Sequence, residues 1–451
     1  MPDLKFIVYN IKALPLGGSS LNTVIRIAQK IVAEEYQLVC LNEVFDEPAR
    51  DQLAEIFEKA GYHLIKKSGV DYGGIVDILP KVQDSGLFLA SKSPIIYKNF
   101  EEYTDWKTSI YADQLANKGI LGALLDVSSL NNKQDLYLYA FTTHMHSEPD
   151  HPEIRTKQLG QAKRFINSMI RLHQGYPIQE NSIIAGLSKI ALLATGTPHG
   201  RYLGMDNKEW ISLHKTQVDE TEKFQIIKGW DTNDNTPIAY GETVHFRSHK
   251  GTYLDVDRDY YLAADEYSLA HGEVADWGHF RILKANNEAD TGSIRDGDEV
   301  VLKDYNGKYV YSYKKSGKYW GCGGGDNSKK LTFRIQLQQL FLPSKIVPLD
   351  KCNAIYAGDF NLKADSAEYP NMINTLGQPQ DLWQIKRPGE PGFTYATNHL
   401  DQRIDYILSF SHLPSNNEEQ MMGMECKEIS TLNWSESDHL PISAVFSLPN
   451  S

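Results

Sequence analysis

An α/β fold carrying an all-β insertion is predicted from three features of the chain. Strands and helices alternate near the N-terminus, an apolar strand pattern of the same kind resumes at Asn353, and a strand-only threefold repeat lies between them. Several apolar runs also end or begin at residues able to do chemistry: Asn10, Asn42-Glu43, Thr143-His144, Asp359 with Asn361, and Ser437-Asp438-His439. A chain of 451 residues has room for two or three domains. Its net charge of −12 argues against a nucleic-acid partner, because phosphate backbones reward a basic surface.

The first strand is expected over Lys5–Asn10. Ser19 or Ser20 then caps a helix in which Leu21, Val24, Ile25, Ala28, Ile31 and Val32 recur at helical spacing. Leu38–Leu41 is a short buried strand that hands over to Asn42-Glu43, and a helix from Pro48 stops at Gly61. Strands follow at Gly86–Ala90, Ile120–Asp126 and Leu136–Thr143. In the last of these both alternating faces are apolar, as in an inner strand of stacked sheets. A long helix is expected over Ile154–His173.

The repeat consists of Gly200-Arg-Tyr-Leu203, Gly251-Thr-Tyr-Leu254 and Gly307-Lys-Tyr-Val310, with tyrosines 51 and 56 residues apart. Each copy follows an apolar strand and precedes a closing one, at Phe224–Ile227, Phe280–Leu283 and Phe333–Gln336. Three strand-rich units with glycine turns and no helix resemble a β-trefoil of the fascin-like or lectin-like kind; a propeller fragment or an irregular β insertion is the competing architecture. Asn181–Gly186 looks like a partial copy of Asn353–Gly358, as if the repeat had been spliced in just before that strand. The expected organisation is therefore a discontinuous domain of residues 1–186 and 341–451, with a trefoil-like insertion over 187–340.

The chemistry is concentrated outside the insertion. Ala354–Ala357 reads as a strand, Gly358 permits a sharp turn, and Asp359 and Asn361 then lie on one side of an extended segment. An acid and an amide so placed suit a phosphate oxygen and its attacking water, although an Asx turn is the plainer alternative. Glu43 offers a hard carboxylate to Mg²⁺, which Asn10 can help to orient. His439, with Asp438 as its orienting acid, can take a proton near neutral pH. His144 can donate to a phosphate oxygen or protonate a leaving alkoxide. Lys118 either supplies positive charge at the phosphate or is a surface lysine.

In order along the chain, Leu41-Asn-Glu-Val-Phe-Asp46, Asp84-Ser-Gly86, Ala90-Ser-Lys-Ser-Pro-Ile95, Asn117-Lys-Gly119, Thr143-His144, Ile154-Arg-Thr-Lys-Gln-Leu159, Ala357-Gly-Asp-Phe-Asn361, Ile404-Asp-Tyr-Ile407 and Ser437-Asp-His-Leu-Pro441 resemble the endonuclease/exonuclease/phosphatase superfamily. Within it they are most similar to bacterial-type neutral sphingomyelinases. The resemblance implies a DNase I-like four-layer α/β sandwich and a phospholipase C type cleavage of sphingomyelin to ceramide and phosphocholine. It implies Mg²⁺ as cofactor, with Mn²⁺ or Co²⁺ as substitutes. It further implies catalytic roles for His439, His144, Asp359, Asn361 and Asp438, substrate binding by Lys118 and Asn10, and metal binding by Glu43 and Asn10. A second, edge metal site would use Glu47, Gln83 and Asp84. Here Gln83 stands where an acid is expected and Glu47 where an amide is.

The aromatic-tipped hairpin of the secreted members is replaced by a shorter stretch, Ser411–Glu436, offering Met421, Met422, Met424 and Trp434 either to lipid or to the core. Membrane or glycan recognition then falls to the insertion, through Asp259-Tyr-Tyr261 and Tyr309–Trp320, unless these aromatics are core. The expected partners are sphingomyelin or a related phospholipid at a membrane surface and a glycan, lipid or protein ligand for the insertion; no nucleic-acid partner and a monomer are expected. A nuclease or phosphoinositide phosphatase of the same fold, and a binding protein acting through the trefoil, are the alternatives. No leader and no apolar run of about 18 residues is visible, which leaves a cytoplasmic chain or a mature secreted one. No C-x-x-C pair exists among Cys40, Cys322, Cys352 and Cys426, so a structural zinc site is not expected.

Overall fold

A computed structural model of the chain describes residues 3–15, 17–68, 84–103, 118–131, 135–174, 182–186, 188–195, 200–205, 211–228, 237–248, 253–256, 262–263, 278–315, 318–328, 330–340, 346–414 and 416–448. Two compact units emerge: Met1–Gln174 together with Ser344–Ser451, and Gly175–Pro343.

The first unit is built on two six-stranded sheets. Its strands are β1 (Leu4–Ala13), β2 (Leu38–Val44), β3 (His63–Ile65), β4 (Phe88–Ser91), β5 (Ile95–Glu102), β6 (Gly119–Asp126), β7 (Tyr137–His144), β8 (Cys352–Asp359), β9 (Asp405–Phe410), β10 (Glu425–Thr431) and β11 (Ile442–Ser447). One sheet runs β10-β11-β1-β2-β4-β3; the other runs from the short strand Gln380–Asp381 through β9-β8-β7-β6-β5. The helices are α1 (Leu21–Ala33), α2 (Glu47–Lys59), α3 (Pro152–Leu172), α4 (Glu368–Thr375) and α5 (Leu382–Lys386).

Period-two alternation sorts the strand residues into layers. Phe6, Val8, Leu38 and Cys40 meet Leu121, Ala123, Leu138, Ala140, Ile355 and Ala357 between the sheets. Ile7, Tyr9, Val39 and Leu41 point the other way, onto Val24, Ile27 and Ile31 of α1 and Leu53 and Phe57 of α2. Tyr139, Phe141 and Tyr356 cover the far face under Leu159, Phe165 and Ile166 of α3. Helix, sheet, sheet and helix thus form four layers. Ser20 caps α1 by accepting from the Thr23 amide, and Asp46 caps α2 through Ala49, so both helices begin where a side-chain oxygen satisfies an orphan N–H.

Met421 is 6% exposed in the core under α3, Met422 and Met424 pack against the core between the sheets, and Trp434 meets Tyr9 edge-on. The four side chains considered for lipid contact therefore belong to the fold.

In the second unit, Ser188–Ala194, Phe224–Lys228, Thr243–Arg247, Phe280–Lys284, Glu299–Lys303 and Thr332–Leu340 pair successively, and the last pairs with the first, closing an antiparallel ring. Three hairpins accompany it: Tyr202–Met205 with Ile211–Lys215, Asp255–Val256 with Leu262–Ala263, and Tyr309–Lys315 with Lys318–Gly325. The repeat also extends further upstream than the tyrosine turns. Ile183, Ile238 and Ile294 are fully buried and join in a triangle, N–H to carbonyl, at 2.8–3.0 Å.

Ser182–Gly186 therefore belongs to this unit; it is not a copy of β8. Ile183 and Ala185 enter its core, and the Gly186 amide bonds the Ile226 carbonyl as Gly241 and Gly297 bond Ile282 and Ile335. Gln83, Asn117 and Asp259-Tyr-Tyr261 lie outside the described residues. Of the other aromatics considered for recognition, Tyr309 is buried and Tyr313 is 45% exposed. No helix among the described residues is long and apolar enough to cross a membrane.

Candidate active site

Strand register brings distant residues to one edge of the two sheets. Asn10 faces Asn42 in the parallel β1–β2 pair. Asp359 faces His144 across parallel β7 and Asp405 across antiparallel β9. Ile442 of β11 pairs with Val8, which carries the preceding His439 toward the Asn10 end of β1. Lys118 precedes β6, whose Ile120 faces Thr143. Gly358 is required at the junction: at φ +147°, a Cβ would lie 2.0 Å from the Thr143 carbonyl oxygen. Glu43 and Asn361 hold left-handed backbones at φ +56° and +49°, a conformation that non-glycine residues keep chiefly where the surroundings impose it.

The fully buried Asn10 amide joins two acids, donating from Nδ2 to Glu43 Oε1 at 2.8 Å and to Asp359 Oδ2 at 3.0 Å. Asp359 Oδ1 accepts from the Asn361 amide at 2.9 Å. His439 Nδ1 lies 2.8 Å from Asp405 Oδ2, and its Nε2 lies 3.7 Å from Asp359 Oδ2. His144 Nε2 stands 3.7 Å from Glu43 Oε1, 3.9 Å from Asp359 Oδ2 and 3.2 Å from the Lys118 ammonium. Asn42 bridges the sheets, donating to the Thr143 carbonyl at 3.0 Å.

Negative charge is in excess here. Glu43, Asp359 and Asp405 converge, with Lys118 among the nearby cations. Burial, then the Asp405 charge, holds the Asp359 carboxyl well above its usual range. Burial alone pulls His439 down, but Asp405 and Asp359 more than reverse this and favour the imidazolium. The Asp405 Oδ1 is buried with no hydrogen-bond partner among the described residues. Protons are thus drawn in where positive charge is short, and the oxygen-rich set of Glu43, His144 and Asp359 fits a hard divalent cation.

Asn10, Glu43, Lys118, His144, Asp359, Asn361 and His439 come to this edge. Asp438 does not orient His439: its carboxylate turns to Lys12 Nζ at 2.6 Å. Asp405 takes that position. It lies in the Arg403-Ile-Asp-Tyr run, and an acid opening that strand is the signal that could have found it. Asp84 and Glu47, expected at an edge metal site, do not join any metal-capable group among the described residues. Asp84 is buried against Arg50, Nη1 to Oδ2 at 2.9 Å, and Glu47 is exposed in the first turn of α2.

A model of the endonuclease/exonuclease/phosphatase family matches residues 8–421. The chain belongs to that family. As a member of it, the chain is similar to sphingomyelin phosphodiesterase 3 of Rattus norvegicus, at 33% identity over 121 residues, 27% of this chain and 18% of that protein. It is also similar to sphingomyelin phosphodiesterase 5 of Danio rerio, at 28% over 141 residues, 30% of this chain and 25% of the relative. The matches span between 9% and 25% of the curated relatives' own lengths. Sphingomyelinase C from Streptomyces griseocarneus aligns over 99% of both chains, with 14% identity and a TM-score of 0.42. The two facing sheets flanked by helices are the DNase I-like fold of this family.

Proposed function

We propose that this family member is a divalent-metal-dependent phosphodiesterase that hydrolyses sphingomyelin to ceramide and phosphocholine. The observation that carries the reading is the convergence of Glu43, Asn10, Asp359, His144 and the Asp405–His439 pair on one buried edge. The likeness to sphingomyelin phosphodiesterases supports the substrate class. Glu43 and Asp359 would hold Mg²⁺, with Asn10 fixing their carboxylates; a bound divalent ion supplies Lewis-acid stabilisation of charge on the phosphate.

The remaining work falls to the chain's own groups. Lys118 faces a non-bridging phosphate oxygen with its ammonium. Asp405 occupies His439 Nδ1 and leaves Nε2 facing a water. A cation held by Glu43 and Asp359 would offset the negative charge that favours the imidazolium, so the ring, then neutral, takes the water's proton as the water oxygen bonds to phosphorus. Asp359 and Asn361 hold that water in line. The bond from phosphorus to the ceramide oxygen breaks, and His144, entering the step protonated, gives that proton to the departing alkoxide. Asp438 is the member of the expected catalytic set without a place in this scheme, since Lys12 engages it.

We also read the second unit, Gly175–Pro343, as an inserted β-trefoil that recognises a glycan, lipid or protein. The closed ring, the three hairpins and the Ile183–Ile238–Ile294 triangle support it. Parallel assays on sphingomyelin vesicles, plasmid DNA and inositol phosphates, with and without Mg²⁺, test the proposal. Phosphocholine release that needs the ion is expected; cleavage of DNA or inositol phosphates alone would replace the substrate and keep the fold.

A further inference from the structure

The Arg155-Thr-Lys-Gln-Leu159 motif takes no part in the steps above, yet its arginine ties the loop that follows His144 to α4. Arg155 is 1% exposed in the first turn of α3. Its guanidinium grips Glu368 of α4 in a fork, Nε to Oε2 at 2.8 Å and Nη2 to Oε1 at 2.7 Å. The same group donates to three backbone carbonyls, those of Glu148 at 2.6 Å, Pro149 at 3.1 Å and His146 at 3.3 Å. Gln158, one turn further on, accepts from the His146 amide at 2.9 Å. A lysine cannot reproduce this, because an ammonium lacks the planar fork.

The loop so gripped begins directly after His144, and its first residue is a junction of the site. The Met145 amide donates to the Asp359 carbonyl at 3.0 Å. The Met145 carbonyl accepts from Lys118 Nζ at 2.7 Å and from Asn361 Nδ2 at 3.0 Å. One end of a short loop is therefore fixed to α3 and α4, and the other end holds an ammonium and an amide placed at the phosphate.

We propose that Arg155 is a positioning residue: by clamping the 146–149 carbonyls to Glu368, it sets the Met145 carbonyl that aims Lys118 and Asn361. This rests on the reading of Lys118 as a phosphate contact. The test is a double-mutant cycle of Arg155→Lys and Lys118→Met on bis(4-nitrophenyl) phosphate, with a crystal structure of Arg155→Lys. Displacements of about 1 Å can lower turnover by about 100-fold, so Arg155→Lys should lower kcat by about 10- to 100-fold with KM within about twofold. In the Lys118→Met background the same change should add less than about threefold, since coupled residues are not additive. The crystal should show Lys118 Nζ out of hydrogen-bond reach of the Met145 carbonyl.

Multiplicative losses, wild-type kcat, or an undisturbed Lys118 contact would each overturn the proposal. If Arg155→Lys does not fold, Glu368→Gln, which keeps the arginine and removes its charged anchor, is measured in the same cycle. If the wild type cleaves no phosphodiester, the functional reading fails, and the Lys118 position in the crystal still decides the positioning claim.

Discussion

His439 Nδ1 lies 2.8 Å from Asp405 Oδ2, with the two side chains 5% and 2% exposed. A contact of this kind fixes which ring nitrogen faces the reacting groups and stabilises the imidazolium formed there. Asp405→Asn should therefore lower kcat on sphingomyelin by roughly 10²- to 10⁴-fold, as losing the orienting acid does in other histidine bases. Asp438→Asn, which removes only a partly exposed ion pair with Lys12, should cost less than about tenfold. Turnover of the two variants side by side checks this; equal losses would contradict the assignment of Asp405.

Asp84 and Arg50 form a buried pair, 2% and 8% exposed. Removing one partner of such a pair leaves an uncompensated charge and costs about 3–5 kcal/mol. Asp84→Asn should accordingly lower stability in urea while leaving the Mg²⁺ concentration for half-maximal turnover unchanged. A shifted Mg²⁺ dependence in a protein of normal stability would restore Asp84 to a metal site.

His245 in the second unit is fully buried, and burial with the nearby His279 pushes its pKa down to about 3. The unfolded chain binds a proton below its ordinary value near 6.5 while the folded chain does not, so the folded state loses ground as pH falls from about 6.5 toward 3. The loss from this one ring is about 1.4 kcal/mol per pH unit. Chemical denaturation of wild type and His245→Phe between pH 7.5 and 4.5 measures it: the wild type should lose stability more steeply. Parallel curves would show that the ring does not titrate differently on folding.

Much of this was legible in the residues because apolar runs end at chemistry. β1, β2, β7 and β8 each read as an apolar segment closing on Asn10, Glu43, His144 or Asp359, and the structure sets those ends side by side. β5 and β10 were not legible, since Tyr97-Lys-Asn-Phe-Glu-Glu102 and Glu425-Cys-Lys-Glu428 are mixed edge-strand sequences with exposed positions. Asp405 escaped for another reason. Its partnership with His439 spans 34 residues and exists only through the register of β9 against β8, whereas Asp438 is adjacent in sequence and faces away. The upstream part of the repeat was missed because Asn181–Gly186 read as a copy of the β8 sequence, while Ile238 and Ile294 lie in short turn-bounded stretches; their relation to Ile183 is the backbone triangle the three close.

The central claim is that Glu43 and Asp359, far apart in the chain and bridged by the Asn10 amide, share one divalent cation. Calorimetric titration of Mg²⁺ into the wild type, Glu43→Gln and Asp359→Asn tests it most directly. The account predicts a binding isotherm for the wild type that weakens at least about tenfold in both variants, since metal affinity follows ligand charge. Wild-type affinity in both would contradict it.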